Sequence, residues 1–143
     1  MKIEEMLSKG LIKSFEADEK EIKKVLELSE RDLKVAKENL ENEEYDWSLA
    51  IAYNSALQAG KALMFSRGYR PAGEFKHVAV IEFIHSEFGK QITNTVIDIL
   101  SSLRKRRHRV VYEQAGSVSE GETSEAIKFA DNFIIKVKEI LKM

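Results

Sequence analysis

The fold is decided by the stretch Tyr45-Asp46-Trp47-Ser48-Leu49-Ala50-Ile51-Ala52-Tyr53-Asn54-Ser55-Ala56-Leu57-Gln58-Ala59-Gly60-Lys61-Ala62-Leu63-Met64-Phe65. Apolar residues recur in it on successive helical turns, which predicts a helix of about six turns. Alanines and one glycine keep this helix thin, so neighbouring helices can approach it closely. We therefore predict that it lies at the centre of the protein.

Four further helices follow from the spacing of apolar residues on either side. The pattern predicts amphipathic helices over residues 18–40, 74–88, 92–110 and 119–141, the last beginning with a capping box of Ser119 and Glu122. Residues 67–73 hold two glycines and the only proline, so the central helix ends there. No stretch shows the two-residue alternation of a β-strand.

These elements predict an all-α protein, an up-and-down antiparallel bundle of four to five helices, because short connections favour antiparallel neighbours. A chain of 143 residues is long enough for one core, and we expect residues 1–143 to form a single domain. Residues 1–17 are interrupted by Gly10 and are expected to form an N-terminal arm or a short helix.

Composition narrows the classes of function. The chain has no cysteine and no apolar run near the 18 residues of a membrane span, so we expect a cytoplasmic protein without membrane contact. His77 and His85 are eight residues apart, two helical turns, which is too far for shared metal ligation without a third element. We expect no metal and no cofactor.

The segment Arg104-Lys105-Arg106-Arg107-His108-Arg109 concentrates positive charge in a chain whose net charge is −1. On an ideal helix Arg104, Arg107 and His108 share one face, and they are the candidate ligand-binding residues. The guanidinium of Arg107 is expected at the boundary of core and solvent, where it can pair with a carboxylate or hold a phosphate. Lys105 and Arg109 lie on another face and are expected to be solvated.

Two other groups on the central helix have plain structural explanations. Asn54 and Gln58 stand one turn apart, and hydrogen bonds between helices explain them as well as ligand contacts do. Tyr45, Trp47 and Tyr53 are expected to pack in the core, because aromatic residues at helical spacing usually do.

Several stretches together resemble the HEPN superfamily, named for higher eukaryotes and prokaryotes nucleotide-binding. The similarity covers nearly the whole chain and rests on four segments: Arg31-Asp32-Leu33-Lys34-Val35-Ala36, Ala52-Tyr53-Asn54-Ser55-Ala56-Leu57-Gln58-Ala59-Gly60-Lys61-Ala62-Leu63, Arg67-Gly68-Tyr69-Arg70-Pro71, and Leu103-Arg104-Lys105-Arg106-Arg107-His108-Arg109-Val110-Val111-Tyr112-Glu113.

This resemblance implies a helical bundle that forms a homodimer, with the motif helices of two subunits meeting at a cleft. Many members are metal-independent ribonucleases, and many belong to toxin and antitoxin pairs with a small nucleotidyltransferase. Aligned to the active motif, Arg107 takes the arginine position, His108 the polar position, and Tyr112 stands where the family has its catalytic histidine. Arg107, His108 and Tyr112 are thus the candidate catalytic residues.

Tyr112 at the histidine position is a departure, because an unperturbed tyrosine with a pKa of about 10 is a poor base at neutral pH. Arg107 and Tyr112 are also about 140° apart on an ideal helix, so their convergence requires a helix end or a second subunit.

The leading hypothesis is a HEPN protein with a degenerate nuclease motif that binds nucleotide or RNA phosphate, as part of a toxin-antitoxin or nucleotidyltransferase-associated pair. The alternatives are a metal-independent ribonuclease toxin, which would use His108 and Arg107, and a non-catalytic structural dimer or scaffold.

Overall fold

The computed structural model describes all 143 residues, which form six helices and one short ribbon of two strands. In chain order the elements are α1 (Ile3–Ser8), β1 (Ile12–Ser14), α2 (Glu19–Glu41), α3 (Tyr45–Ser66), β2 (Tyr69–Pro71), α4 (Lys76–Glu87), α5 (Asn94–Tyr112) and α6 (Glu120–Leu141). The five predicted helices are α2 to α6, and the all-α bundle is confirmed.

Helices α2 and α3 form an antiparallel hairpin held together by serine hydroxyls. Ser29 Oγ donates to the Ser55 carbonyl at 2.6 Å, and Ser55 Oγ donates back to the Ser29 carbonyl at 2.8 Å. Nearer the turn, Ser48 Oγ donates to the Ala36 carbonyl at 2.6 Å. All three serines are buried, and their small size allows the two backbones to come close enough for these bonds.

Helix α3 is the centre of the bundle, as its small residues predict. It contacts α2, α4, α5 and α6, and most of its residues are buried. A Cβ added at Gly60 would lie 2.8 Å from side-chain carbons of both Val80 and Ile84. Glycine at this position therefore lets α4 pack directly against the α3 backbone.

Polar side chains cap the N-termini of three helices. Asp18 accepts a hydrogen bond from the Glu21 amide at the start of α2, and Thr93 accepts one from the Val96 amide at the start of α5. Ser119 Oγ accepts one from the Glu122 amide at 3.1 Å, at the predicted start of α6. Each cap satisfies an amide that lacks a partner inside its helix.

The ribbon is a feature that the sequence did not predict. The predicted break after α3 is present, but three of its residues, Tyr69–Pro71, pair antiparallel with Ile12–Ser14, so that Ile12 lies opposite Pro71. Strands of three residues are too short for alternation to show in the sequence. The ribbon attaches the N-terminal segment to the bundle. Helix α1 contributes the buried Met6 to the core.

The expected packing in the core is right for Tyr53, which is fully buried, and for Tyr45, which is partly buried against the core. It is wrong for Trp47, which is 61% exposed. Trp47 lies in the first turn of α3, on its outer side, where it faces the end of α5 across a cavity of about 170 Å³ lined also by Val110, Val111 and Ala115. No helix of the structure is long and apolar enough to cross a membrane.

Candidate functional site

A groove of about 300 Å³ lies between the start of α4 and the C-terminal half of α5. It brings together most of the side chains singled out on the basic segment with others from the residues around the start of α4. Its lining residues are Glu74, Phe75, Lys76, His77, Val78, Arg104, Arg107, His108 and Tyr112. The predicted ligand-binding set Arg104, Arg107 and His108 therefore shares one surface.

Helix α5 divides its basic residues between two sides of the molecule. Arg104 and Arg107 line the groove and are half-buried, whereas Arg106 and Arg109 line a different cavity, on the side of α6. Lys105 and Arg109 are exposed, as expected from their helical face. The division follows from helical geometry, since residues three and four apart lie on the same side of a helix, as Arg104 does with Arg107 and His108, and Arg106 with Arg109.

Arg106 is fully engaged within the protein. Its Nη2 donates to Glu122 Oε1 at 3.0 Å and to the Ser117 carbonyl at 3.1 Å, and its Nε donates to Glu122 Oε2. The hydrogen bond with Glu122 raises the pKa of Arg106, and the same bond lowers the pKa of Glu122. This arginine joins α5 to the start of α6.

Arg104 and Arg107, by contrast, take part in none of the ion pairs of the structure. Glu74 is the one carboxylate that lines their groove, and it is exposed. The sequence predicts that Arg107 pairs with either a carboxylate or a phosphate. In the structure it forms no ion pair with a carboxylate of the chain. Two half-buried cations remain directed at the groove.

The two arginines act on a pair of ring side chains beside them, the buried Tyr53 and the half-buried His77. The Tyr53 hydroxyl lies 3.1 Å from His77 Nδ1. Burial raises the pKa of Tyr53 to about 12, although the positive charges of Arg104 and Arg107 oppose the rise. Burial also lowers the pKa of His77, and the charges of Arg107 and Arg104 lower it further.

These pKa shifts define the protonation of the pair at neutral pH. Tyr53 keeps its proton and His77 is uncharged. Since Nδ1 is the sole hydrogen-bond partner of the buried phenol, the phenol proton has no other acceptor, which favours donation to Nδ1 and places the ring proton of His77 on Nε2. A neutral histidine in this tautomer presents an N–H donor from its other nitrogen. His77 thus adds a hydrogen-bond donor, rather than a third charge, to a groove that already holds two guanidinium groups.

His108 and Tyr112 form the outer edge of the groove. Both are exposed, and their ring centroids lie 4.9 Å apart, one helical turn from each other. Helix α5 ends at Tyr112, so Tyr112 and Arg107 reach the same groove within one chain. Tyr112 is 67% exposed and Phe75, on the opposite wall, is 62% exposed. Two aromatic rings therefore flank the basic floor.

Sequence reasoning missed Phe75, Lys76, His77 and Arg106 as members of these sites. His77 is 24 residues from its partner Tyr53, and Arg106 is 16 from Glu122, so the contacts depend on how α3, α5 and α6 pack. Asn54 makes the hydrogen bond between helices that its position on α3 suggests, since its Nδ2 donates to Asp32 Oδ2 on α2 at 2.9 Å.

The fold and the groove define a helical-bundle protein in which the basic helix α5 borders an open groove. The HEPN domain model matches residues 22–140, and the chain belongs to this family.

A known protein is similar to this chain in sequence, and a solved structure is similar to it in fold. A protein of Methanocaldococcus jannaschii named "Putative toxin MJ0605" is 28% identical over 126 residues, which is 85% of this chain and 92% of that protein. The crystal structure of TT1696 from Thermus thermophilus has the same fold, with a TM-score of 0.68 and 18% identity, over 82% of this chain and 96% of that one.

Proposed function

We propose that the groove binds the phosphate of a nucleotide or of RNA through Arg104, Arg107 and His108, and that its nuclease motif is degenerate. The observation that carries the proposal is the pair of half-buried guanidinium groups that no carboxylate of the chain neutralises. Guanidinium groups are well suited to phosphate because their N–H donors match its oxygens two at a time.

The surroundings of the arginines favour a nucleotide over a small inorganic anion. Phe75 and Tyr112 stand exposed on the two sides of the groove, where each ring can stack on a base. The neutral His77 adds an N–H donor without adding charge. Tyr112 in place of a histidine removes the expected base, which is the reason for proposing binding rather than cleavage.

A role beside a partner protein is consistent with the same interpretation. The similar archaeal protein is named a toxin, and membership of the HEPN family is compatible with a toxin and antitoxin pair or with a nucleotidyltransferase partner. We also propose a homodimer in which the exposed Trp47 and Val111, which line one cavity, lie in the interface, because exposed apolar side chains grouped in one place commonly mark an interaction surface.

The test is a titration of labelled RNA and of ATP against the wild type, Arg107→Ala and Arg109→Ala at several salt concentrations. We expect Arg107→Ala to weaken both ligands and to reduce the dependence of affinity on salt. Arg109→Ala removes the same charge from the other side of α5 and should bind nearly as the wild type does. Negligible binding by the wild type, or equal binding by wild type and Arg107→Ala, contradicts the proposal.

The second candidate is a metal-independent ribonuclease, favoured by the position of His108 directly beside Arg107 at the groove. It predicts that RNA is cleaved in the presence of EDTA and that His108→Ala abolishes the cleavage. A binding protein leaves the RNA intact under the same conditions.

A further inference from the structure

A second group of cations lies beside the groove. Lys61 belongs to α3, Arg70 to β2, and Lys76 is the first residue of α4. Like Arg104 and Arg107, these three residues take part in none of the ion pairs of the structure. Lys76 also lines the groove, so the two groups of cations are contiguous.

Two of the cations rest on a pair of aromatic rings. The ring centroids of Phe15 and Phe65 are 4.8 Å apart. The Arg70 guanidinium carbon lies 5.2 Å from the centroid of Phe15, and Lys61 Nζ lies 5.8 Å from the centroid of Phe65. The rings hold both cations in place without neutralising them, because a ring face carries no net charge.

The group is short of acceptors as well as of negative charge. Arg70 Nε is buried and has no hydrogen-bond partner, which is unusual for a charged donor. Burial lowers the pKa of Lys61, and the charges of Lys76 and Arg70 lower it further. Three positive side chains thus repel one another where no carboxylate of the chain offsets them, and an anion bound among them would remove that repulsion.

We infer that Lys61, Arg70 and Lys76 form a second phosphate-binding subsite, which takes a neighbouring backbone phosphate of a single-stranded RNA whose first phosphate lies at Arg104 and Arg107. The inference rests on the proposed function for the position of the first phosphate. It adds that the ligand is an oligonucleotide rather than a mononucleotide. It also adds that the strand leaves the groove past Lys76 toward β2.

Single-stranded RNA fits this surface better than an acidic peptide does. The surface combines two groups of cations with the exposed rings of Phe75 and Tyr112, which line the groove, and alternating phosphates and bases need both kinds of contact. The carboxylates of a peptide would use the cations and leave the rings without a partner.

The experiment compares a ten-nucleotide single-stranded RNA with AMP, which has one phosphate. Variants are Lys61→Gln, Arg70→Gln and Lys76→Gln, with Lys128→Gln, an exposed lysine of α6, as the matched control. For single strands each phosphate contact contributes a slope of about 0.7 to the dependence of log affinity on log salt. We expect each subsite variant to lower that slope for RNA by at most about 0.7, the contribution of one phosphate, and Lys128→Gln to leave it unchanged. Lys61→Gln and Arg70→Gln, which lie outside the groove, should leave AMP binding unchanged.

Arg70→Gln removes a side chain that packs on Phe15, so thermal unfolding is measured for every variant. Lys61→Gln alters a residue outside the groove and decides the question if Arg70→Gln does not fold. Salt slopes equal to that of the wild type in both Lys61→Gln and Lys76→Gln overturn the inference. So does displacement of the RNA by a polyglutamate peptide of equal charge at equal concentration, since the site would then not select nucleic acid.

The same measurements separate the two proposals. Arg107→Ala should weaken both AMP and RNA. If it weakens neither while Lys61→Gln still lowers the RNA slope, the groove assignment fails and the subsite is retained. If Arg107→Ala weakens both while the subsite variants act as the wild type, the proposed function holds and the ligand ends within the groove.

Discussion

The Tyr53 hydroxyl and His77 Nδ1 lie 3.1 Å apart, beside two arginines that face a groove. This hydrogen bond joins the central helix α3 to the start of α4, and it fixes both the tautomer and the orientation of the histidine. The pKa of the His77 imidazole therefore responds to the charge in the groove, because Arg107 and Arg104 both contribute to lowering it.

The first prediction concerns that pKa. The pKa of His77 lies below its ordinary value of 6.5, and we expect Arg107→Ala to raise it toward 6.5 and bound AMP to raise it as well, since each reduces the positive charge nearby. Titration of the imidazole ring protons by NMR measures the effect, with Arg109→Ala as the control on the far side of α5. An identical His77 titration in Arg107→Ala and wild type contradicts the coupling.

The same shift has a consequence for stability at acid pH. As the pH falls, His77 takes up a proton near pH 6.5 in the unfolded chain but only at a lower pH in the folded protein. The contribution of the neutral histidine to the free energy of unfolding is therefore complete above pH 6.5 and is lost as the pH falls through the lowered folded-state pKa. We expect His77→Gln to unfold with less dependence on pH in this range than the wild type, as measured by urea denaturation at a series of pH values.

The second prediction concerns Arg106 and Glu122. Arg106→Ala should lower the free energy of unfolding by about 0.5–1 kcal/mol, because the pair is only partly shielded from water, and should leave RNA and AMP binding unchanged. The pKa of Glu122 is lowered from 4.5, so this stabilisation is present above pH 4.5 and is lost as the pH falls through the folded-state pKa. A double-mutant cycle with Glu122→Gln measures the coupling, and a coupling of zero at pH 7 contradicts it.

The third prediction uses two glycines in helices. Gly60→Ala should destabilise the protein by about 1–3 kcal/mol, because its Cβ would lie 2.8 Å from Val80 and Ile84. Gly121→Ala places the same methyl group in open space within α6 and should stabilise by about 0.4–1 kcal/mol. Thermal or denaturant unfolding of both variants tests the contrast, and equal effects would show that α4 does not press on Gly60.

The fourth prediction is a gain of stability from loss of a charge. Lys61→Met keeps the apolar stem and removes one of three clustered cations, so we expect stabilisation by about 1 kcal/mol at pH 7, or a melting temperature about 3 °C higher. The folded-state pKa of Lys61 lies below 10.5, so the wild type recovers stability as the pH rises through that lowered value, and the advantage of the variant should shrink there. A less stable Lys61→Met variant at pH 7 would mean that the repulsion is already compensated.

The fifth prediction concerns the proposed homodimer. Trp47→Ser and Val111→Ser should each weaken dimerisation by about 30-fold or more, as expected for apolar residues central to an interface. Ile135→Ser changes a comparably exposed apolar residue of α6 and should have little effect. Sedimentation velocity over a range of concentrations measures the change. A wild-type chain that remains monomeric at high concentration removes the basis for the interface.

Helical periodicity was sufficient to predict the bundle because each long helix carries its own apolar pattern, and the alanines and Gly60 of α3 marked the centre. The ribbon was missed since β1 and β2 are three residues each and stabilise one another only after the chain has folded. Trp47 was misplaced because a residue in the first turn of a helix can extend past the neighbouring helices although its spacing matches the core.

The candidate site was predictable only along one helix. The common face of Arg104, Arg107 and His108 is a property of α5 alone, and the structure brings these residues to one groove. His77, Lys76 and Phe75 enter the groove from the start of α4, whose position depends on the close approach at Gly60. The pairing of Arg106 with Glu122 likewise needs α6 to lie beside α5, so the basic segment itself does not show that Arg106 is paired and Arg107 is not.

The reciprocal hydroxyl bonds between Ser29 and Ser55 couple the position of α2 to that of Tyr53. Neither helix can slide along the other by one turn without breaking both bonds, and Tyr53 is only two residues from Ser55. A substitution at Ser29, on a helix that contributes nothing to the groove, would therefore shift the phenol that orients His77. A residue of α2 can in this way affect the shape of the groove without lining it.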